Sequence, residues 1–339
     1  MRLYAGIDLH ANSHYVGIID EENRILFRHK IANDLRNTLS FLKPFQKEME
    51  GVVVESTFNW YWLVDGLMDH GYRVHLANPS AIQQYEGLKH SDDERDALWL
   101  ANLLRLGILP EGYIYPKQER PVRDLLRKRL QLVRHRTSHI LSIQNIVSRS
   151  LGIRMTSNEV KGLDEGQVGE LFKEEHLFLA VRSSIGVMRY LGEKIKQIEG
   201  VVKGRVKLRQ EFEKLLTLPG VGQILGLTIM LEVGDIGRFQ KVGNYASYCR
   251  CVRSTRMSNG RAKGEGNRKN GNKYLAWAYV EAAHFAIRDY PEVNRYYHRK
   301  VSETKGVVAI KAVSHKLARA SYYIMRDQVE YDPSKLFHY

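Results

Sequence analysis

The sequence is poor in the features that define several large protein classes. Only two cysteines occur, Cys249 and Cys251, too few for a disulfide framework or a four-cysteine zinc site. No apolar run approaches the roughly 20 residues that span a bilayer, and charged or polar residues follow the N-terminus almost at once. A GxxxxGK[ST] phosphate loop, the mark of many ATP-using enzymes, is also missing. We therefore expect a soluble cytoplasmic protein with no membrane partner.

Positive charge is the first feature present in excess. The 339 residues include 52 Lys and Arg against 38 Asp and Glu, which gives a formal net charge of +14. Such a balance suits a polyanionic partner, and nucleic acid is the first candidate. A basic ribosome-associated or membrane-surface protein would show the same balance. The length exceeds one average hydrophobic core, so two or three domains are expected.

The N-terminal third alternates between strand and helix patterns. Short β-prone runs occur at 3–9, 14–19 and 24–30, and a helical stretch follows at 34–47. A buried strand at 52–54, a helix at 60–70 and a strand at 72–76 complete the segment. The resulting order, β-β-β-α-β-α-β, is that of the ribonuclease H-like fold. We predict an α/β domain over 1–117.

Four carboxylates fall at the ends of these elements. Asp8 lies at the end of the first strand and Glu55 at the end of the fourth, while Asp93 and Asp96 lie three apart at the start of a helix. That spacing places both on one helical face. Each acid alone is most often a turn or cap residue. Together they predict a Mg²⁺ site, because Mg²⁺ prefers carboxylate oxygens and a pair of ions can clamp a reacting phosphodiester.

A basic helical segment follows at about 118–154. Its apolar residues recur at near-heptad spacing, so one face can pack on a partner helix. A second amphipathic stretch at 178–216 favours an antiparallel coiled pair, which could also serve as an oligomer interface. The other face is either exposed to solvent or binds the phosphates of a nucleic-acid backbone. Its candidate nucleic-acid contacts are Arg127, Lys128, Arg129, Arg134 and Arg136.

The last third opens with a Leu-Pro-Gly-Val-Gly turn. Its glycines, Gly220 and Gly222, superficially resemble a dinucleotide fingerprint, but a helix precedes them and no βαβ unit surrounds them. The turn looks more like a helix-hairpin-helix, which offers backbone N–H groups to a DNA phosphate. A purely structural turn would have the same sequence.

Glycine, asparagine and cations crowd together between positions 254 and 273, before a strong helix at 273–288. A loop of this composition can mould its backbone around phosphate, or it can be a flexible tether. A serine inside it is a possible nucleophile. The candidate phosphate contacts are Arg256, Arg261, Lys263, Arg268, Lys269 and Lys273.

Taken together, these motifs resemble the insertion-sequence 110 family of transposases, which is related to the pilin-gene invertases. The resemblance rests on the four acids, the Leu-Pro-Gly-Val-Gly turn, and the Ser-Asn-Gly that precedes NRKNGNKYLAWAYVEAA. It covers essentially the whole chain. It implies a RuvC-like catalytic domain (1–117), a helical coiled-coil region (118–210) and a mainly helical C-terminal transposase domain (211–339).

By the same resemblance, Ser258 occupies the position of the family's catalytic serine. The family often has serine directly before glycine, whereas here Asn259 intervenes, so Ser254 remains an alternative. The implied activity is site-specific DNA recombination, in which the serine becomes linked to a DNA end with Mg²⁺ at the carboxylates. The implied partners are donor and target DNA, a structured guide RNA and further copies of the chain, as a dimer or tetramer. Such a protein would associate with a prokaryotic nucleoid.

Three other functions remain open. A resolvase-like metal nuclease would use the same carboxylates to activate water, and Ser258 would be dispensable. A noncatalytic nucleic-acid-binding protein would need none of the acids. A tyrosine recombinase is suggested by four residues near the C-terminus, but their spacing better fits one face of an amphipathic helix. Those residues are His315, Arg319, Tyr322 and Tyr323.

Overall fold

The computed structural model describes residues 1–82, 93–205, 210–252, 255–265 and 270–337. Side chains at 205, 255–258 and 262–265 lie outside this description. The chain forms two compact units, Met1–Lys117 and Gln118–Tyr339, which are treated separately below.

The first unit is built on a five-stranded mixed sheet. Its strands lie in the order β3-β2-β1-β4-β5, and the first three are antiparallel while β4 and β5 run parallel to β1. The sequence-predicted element order is thereby confirmed. The strands are β1 (Leu3–Leu9), β2 (Ser13–Asp20), β3 (Ile25–Ala32), β4 (Met49–Glu55) and β5 (Val74–Ala77).

Three helices accompany this sheet: α1 (Leu35–Leu42), α2 (Tyr61–Asp69) and α3 (Asp93–Arg105). The helical stretch expected over 34–47 consists of α1 followed directly by a 3₁₀ helix at Lys43–Glu48. Pro44 explains the change, since proline lacks the amide donor that α-helical hydrogen bonding would need at this position. At the other end, the Asp34 side chain accepts a hydrogen bond from the Asn37 amide and caps α1.

The central strand β1 is buried along its whole length. Because side chains alternate across a strand, Ile7 and the strand residues on its face join one core with Leu63 and Leu67 of α2. The opposite face, which carries Gly6 and Asp8, is covered by α3. A Cβ added at Gly6 would lie 1.9 Å from the carbonyl oxygen of Ala97. The backbone of α3 thus rests directly on β1, which brings the acidic start of α3 to the end of the strand.

The second unit begins with a long helical hairpin, α4 (Arg120–Leu151) and α7 (Glu175–Arg205), with two short helices between them, α5 (Ser157–Gly162) and α6 (Glu165–Leu171). The pairing is antiparallel, since Arg129 near the start of α4 bonds Glu199 near the end of α7. Farther along, Ile143 packs with Ile185 in one core. The amphipathic helical stretch predicted at 178–216 corresponds to α7 and to α8 (Gln210–Leu215), with residues 206–209 between them outside the described residues.

The rest of this unit is mainly helical around one core, with a single two-stranded hairpin among its described residues. Its elements are α9 (Gln223–Val233), α10 (Val242–Tyr248), β6 (Thr255–Ser258), β7 (Arg261–Glu265), α11 (Lys273–Asp289), α12 (Pro291–Glu303) and α13 (Gly306–Asp327). Cys249 and Cys251 are buried in the core. Burial raises the pKa of Cys249 well above its ordinary value and that of Cys251 to about 12.

Across the described residues, no helix is both long and apolar enough to cross a membrane.

We expect Gly6→Ala to destabilise the first unit, because the new methyl group would force the backbone of α3 away from β1. Overpacking of this kind costs about 1–3 kcal/mol. Thermal unfolding followed by circular dichroism would measure the loss. The control is Gly186→Ala in α7, where a Cβ meets no heavy atom within 4 Å and alanine should be neutral or stabilising. An unchanged melting temperature for Gly6→Ala would contradict the packing role.

Candidate active site

The two strand carboxylates meet at one end of the sheet. Strands β1 and β4 are parallel neighbours, with Ile7 paired to Val54, so Asp8 and Glu55 are the next residues along on the face covered by α3. Asp8 is only 3 % exposed, and Glu55 is partly buried. A hydrogen bond links the two side chains.

Helix α3 supplies the other two acids. Asp93 and Asp96 both lie in its first turn, where negative charge is favourable with the helix dipole. Asp96 lies close enough to Glu55 to act on its charge. Asp96 and Glu55 line a small pocket of about 60 Å³ together with Trp99 and Leu100. The structure therefore gathers carboxylates from two strands and one helix beside accessible space.

His10 joins this group, although the sequence reasoning did not select it. Its Nε2 atom lies 3.0 Å from Oδ2 of Asp8 and 3.3 Å from Oδ1 of Asp93. One potential ligand atom from each of these three residues lies within 4.8 Å of the others. The sequence contained a signal for His10. Residues two apart on an extended chain lie on the same side, so Asp8 and His10 point the same way.

The proximity of the carboxylates has an electrostatic consequence. The pKa of Glu55 is raised to about 7, first by burial, then by the hydrogen bond with Asp8 and the negative charges of Asp8 and Asp96. Nearby His10 opposes the shift in part. A cation bound among these carboxylates would favour the charged form of Glu55 and so lower its pKa.

Glu94, the acidic residue next to Asp93, is bonded to the sheet. Its carboxylate accepts a hydrogen bond of 3.0 Å from the hydroxyl of Tyr15 and pairs with Arg28. These partners lie on β2 and β3, so Glu94 fastens the start of α3 to the sheet. Asp92, the other acidic neighbour, lies outside the described residues.

The serine predicted as nucleophile ends a strand. Ser258 is the last residue of β6 and pairs with Arg261 of β7 across a two-residue turn. Asn259 and Gly260 have φ values of 49° and 69°, the left-handed geometry of a type I′ hairpin turn. Part of the segment expected to be a loop is thus a β-hairpin, here called the serine hairpin (residues 255–265).

The cations near this hairpin are only partly described. Arg261 and Lys273, the first residue of α11, are exposed. The side chains of Arg256, Ser258 and Lys263 lie outside the description, as do residues Ser254, Arg268 and Lys269 altogether.

The basic residues of α4 fall into two groups. Arg127 forms a bidentate ion pair with Glu232 (2.5 and 2.7 Å), and Arg129 pairs with Glu199 at 2.6 Å. Both guanidinium groups thus have partners inside the protein. Lys128 and Arg134 are exposed, and Arg136 is partly buried. Contact with nucleic acid remains a prediction for all five.

The two glycines of the Leu-Pro-Gly-Val-Gly turn differ in their surroundings. Gly220 has φ +75°, and a Cβ there would lie 2.0 Å from the carbonyl oxygen of Ala282 in α11, so packing alone requires glycine. Gly222 is the N-cap of α9, with open space around its Cα. Both line a groove of about 740 Å³ that also includes Trp277 and Phe285.

The four residues that suggested a tyrosine recombinase all lie on α13. Tyr322 is 2 % exposed, and its hydroxyl donates to the carbonyl oxygen of Phe239. A buried and engaged hydroxyl is a poor nucleophile, which argues against that role for Tyr322, whereas Tyr323 is exposed.

Comparisons with known proteins find similarity to transposases. The chain is similar to a transposase of the insertion sequence element IS1111A from Coxiella burnetii, with 21% identity over 84% of this chain and 77% of the relative. It is 22% identical to the transposase for insertion sequence element IS1328 of Yersinia enterocolitica, over 94% and 95% of the two chains. A putative transposase, y4qE of Sinorhizobium fredii, is 24% identical over 74% of this chain and 62% of the relative.

Two family models cover most of the chain between them. A transposase model for the DEDD domain of IS110 matches residues 5–150, which contain all four acids and His10. A second model, described as transposase IS116/IS110/IS902 family, matches residues 212–298, which contain the Leu-Pro-Gly-Val-Gly turn and the serine hairpin. The two models match successive segments of the chain and together cover more than half of it, so the chain belongs to the IS110 family of transposases.

Proposed function

We propose that this protein is the transposase of an insertion sequence and that it cuts and rejoins DNA through Ser258, assisted by Mg²⁺ at Asp8, Glu55, Asp93 and Asp96. The observation that carries the proposal is the convergence of these carboxylates at one end of the sheet, in a chain of this family. The strand order and the position of the acids support a ribonuclease H-like, RuvC-like fold for the first unit.

The side chains fit a divalent cation. Carboxylate oxygens are the ligands that Mg²⁺ prefers, and the ligand atoms of Asp8, His10 and Asp93 already lie within 4.8 Å of one another. His10 would add a nitrogen ligand, which suits Mn²⁺ better than Mg²⁺. A bound metal would neutralise charge that develops on the phosphoryl oxygens.

The chemistry assigned to the chain is a transesterification. The Oγ atom of Ser258 loses its proton to a base and forms a bond to the phosphorus of a DNA phosphodiester. The bond from phosphorus to one deoxyribose oxygen breaks, and that oxygen leaves as a hydroxyl group after taking up a proton. One phosphodiester replaces another, so rejoining needs no ATP.

The proposed partners are donor DNA, target DNA and a structured guide RNA encoded by the element, bound by a dimer or tetramer. The net charge of +14 and the exposed cations Lys128, Arg134, Arg261 and Lys273 support contact with phosphates. Gly222, at the open N-terminus of α9, is a further candidate. The guide RNA is supported by the family resemblance, and nucleoid association by the DNA substrates.

Ser258→Ala should abolish a covalent protein–DNA adduct, because no Oγ remains to attack phosphorus. Asp8→Asn should abolish it too, by removing a central carboxylate. The measurement is a Mg²⁺-dependent reaction on donor DNA with the element's flanking RNA, resolved on a denaturing gel.

Three other outcomes of that reaction would contradict the proposed mechanism. DNA cutting without any adduct would favour a water-using nuclease, and an adduct that persists in Ser258→Ala would refute the nucleophile assignment. Activity untouched by Asp8→Asn would favour a noncatalytic role for the acids.

His10→Ala should weaken Mn²⁺ binding by about 10- to 100-fold, the range seen when groups around a metal site are removed. Calorimetric titration of the DNA-free protein with Mn²⁺ would measure it. His29→Ala, an exposed histidine on β3, is the matched control. Equal or tighter Mn²⁺ binding by His10→Ala would exclude His10 as a ligand.

Glu55→Gln should stabilise the metal-free protein at pH 8. The folded pKa of Glu55, about 7, lies above its ordinary value of 4.5. Its contribution to stability is therefore complete below pH 4.5 and is lost as the pH rises through 7. Because the side chain is partly exposed, the gain at pH 8 should be on the order of 1–2 kcal/mol, and it should vanish near pH 4.

Thermal unfolding in EDTA across this pH range would test the expectation. Excess Mg²⁺ should then raise the melting temperature of the wild type more than that of Glu55→Gln. The control is Glu48→Gln, an exposed carboxylate in the same unit. A Glu55→Gln protein that is less stable than wild type at pH 8 would show that the carboxylates do not repel one another.

A further inference from the structure

The sheet itself places the carboxylates of Asp8 and Glu55, because both residues are paired with neighbouring strands. His10 lies beyond this ladder, since β1 ends at Leu9 and His10 opens the turn that leads into β2. Its ring nevertheless lies beside Asp8 and Asp93. The position of this ring therefore depends on what holds the main chain of the turn.

Two asparagine side chains bond the carbonyl oxygen of His10. Nδ2 of Asn33, just after β3, donates to this oxygen at 3.0 Å and to the carbonyl oxygen of Ala11 at 2.9 Å. Nδ2 of Asn59, in the loop after β4, donates to the same His10 oxygen at 3.1 Å. The amide of His10 in turn donates to the carbonyl oxygen of Ser13 at 2.9 Å. Both polar groups of the His10 main chain thus have partners, and the oxygen uses both of its lone pairs.

The surroundings of Asn33 fix which way its side-chain amide points. Because Nδ2 faces two carbonyl oxygens, Oδ1 faces the other way and lies 2.9 Å from Nδ1 of His14. His14 is fully buried, and burial lowers its pKa, which favours the neutral ring. Since Oδ1 can only accept, the single N–H of that ring lies on Nδ1, and the hydroxyl of Thr38 can donate to Nε2 at 3.0 Å. A flipped Asn33 amide would lose its bonds on both sides.

Thr57 orients Asn59 in a similar way. The hydroxyl of Thr57 donates to Oδ1 of Asn59 at 2.9 Å, which directs Nδ2 toward His10. The amide of Thr57 donates to the carbonyl oxygen of Glu55 at 2.9 Å, so this loop starts from a fixed point at the end of β4. Asn59 thus ties the chain that follows Glu55 to the chain that follows Asp8.

We propose that Asn33 and Asn59 are positioning residues that hold His10 where its ring can bind a metal ion together with Asp8 and Asp93. This rests on the proposed role of His10 as a metal ligand. The His10 side chain is 48 % exposed, so packing restrains it little and its reach is set by where its main chain is held. A ligand whose main chain is already fixed loses less conformational freedom when the metal binds.

The two asparagines then influence which metal ion the site prefers. A nitrogen ligand suits Mn²⁺ better than Mg²⁺, whereas carboxylate oxygens suit both ions. Because the sheet holds Asp8 and Glu55, a loosened turn at His10 should weaken the binding of Mn²⁺ much more than that of Mg²⁺. A general loosening of the first unit would instead weaken the binding of both ions.

Asn33→Ala and Asn59→Ala should each weaken Mn²⁺ binding by about 10-fold, the lower end of the range for groups that orient a metal ligand. Binding of Mg²⁺ should hardly change. Calorimetric titration of the DNA-free protein with each ion measures both affinities. The control is Asn37→Ala, which changes an exposed asparagine on α1 and should bind both ions like the wild type.

A milder pair of variants acts on Asn59 alone, without removing the partner of buried His14. Thr57→Val removes the hydroxyl that directs the Asn59 amide, so Mn²⁺ binding should fall. Thr57→Ser keeps the hydroxyl and should bind Mn²⁺ like the wild type. Electron spin-echo spectroscopy of bound Mn²⁺ detects a nitrogen ligand directly. The nitrogen coupling expected in the wild type should vanish in His10→Ala and weaken in Asn59→Ala and Thr57→Val.

Wild-type affinity for Mn²⁺ in Asn33→Ala and Asn59→Ala would overturn the proposal, and so would an equal loss of Mn²⁺ and Mg²⁺ binding. If His10→Ala binds Mn²⁺ like the wild type, the ligand assignment fails, and the positioning of His10 fails with it. A loss in His10→Ala that neither asparagine variant reproduces would keep His10 as a ligand and refute only the role of the asparagines.

Discussion

The packing of α3 directly on β1 is the constraint on which the candidate active site depends. Gly6 lets the backbone of α3 approach the strand, and the first turn of α3 then lies beside Asp8 and Glu55. Burial raises the pKa of Glu55, and the neighbouring carboxylates of Asp8 and Asp96 raise it further. The arrangement persists because buried apolar side chains on the far face of the sheet, and the bonds of Glu94 to β2 and β3, hold both elements in place.

The second unit uses polar groups in the opposite way. In the first unit, carboxylates from two strands and one helix lie close together beside accessible space, which suits them to hold a cation. Around Glu232, Arg127 and Asn272 donate to both carboxylate oxygens, so this carboxylate is satisfied inside the protein. A carboxylate whose oxygens accept from donors of the protein is held in one arrangement, whereas carboxylates gathered close together favour a bound cation.

Much of the first unit could be predicted from the sequence, because alternation and strand order place Asp8 and Glu55 side by side. His10 and the break at Pro44 were also readable from local spacing and from proline chemistry. The Asn-Gly pair after Ser258 is a strong hairpin signal that composition alone obscured. The partners of Arg127 and Glu94 were not predictable, since they lie 105 and 79 residues away along the chain, and only tertiary packing brings them together.

Burial of Cys249 and Cys251 has a practical consequence for the chemistry of the chain. Their raised pKa values keep both thiols protonated at physiological pH, and the thiolate is the reactive form. The wild-type protein should therefore be sluggish toward alkylating reagents. A cysteine placed at position 258 would react while the two native cysteines hardly react. Its rate of modification would therefore measure how accessible that position is to reagents in solution.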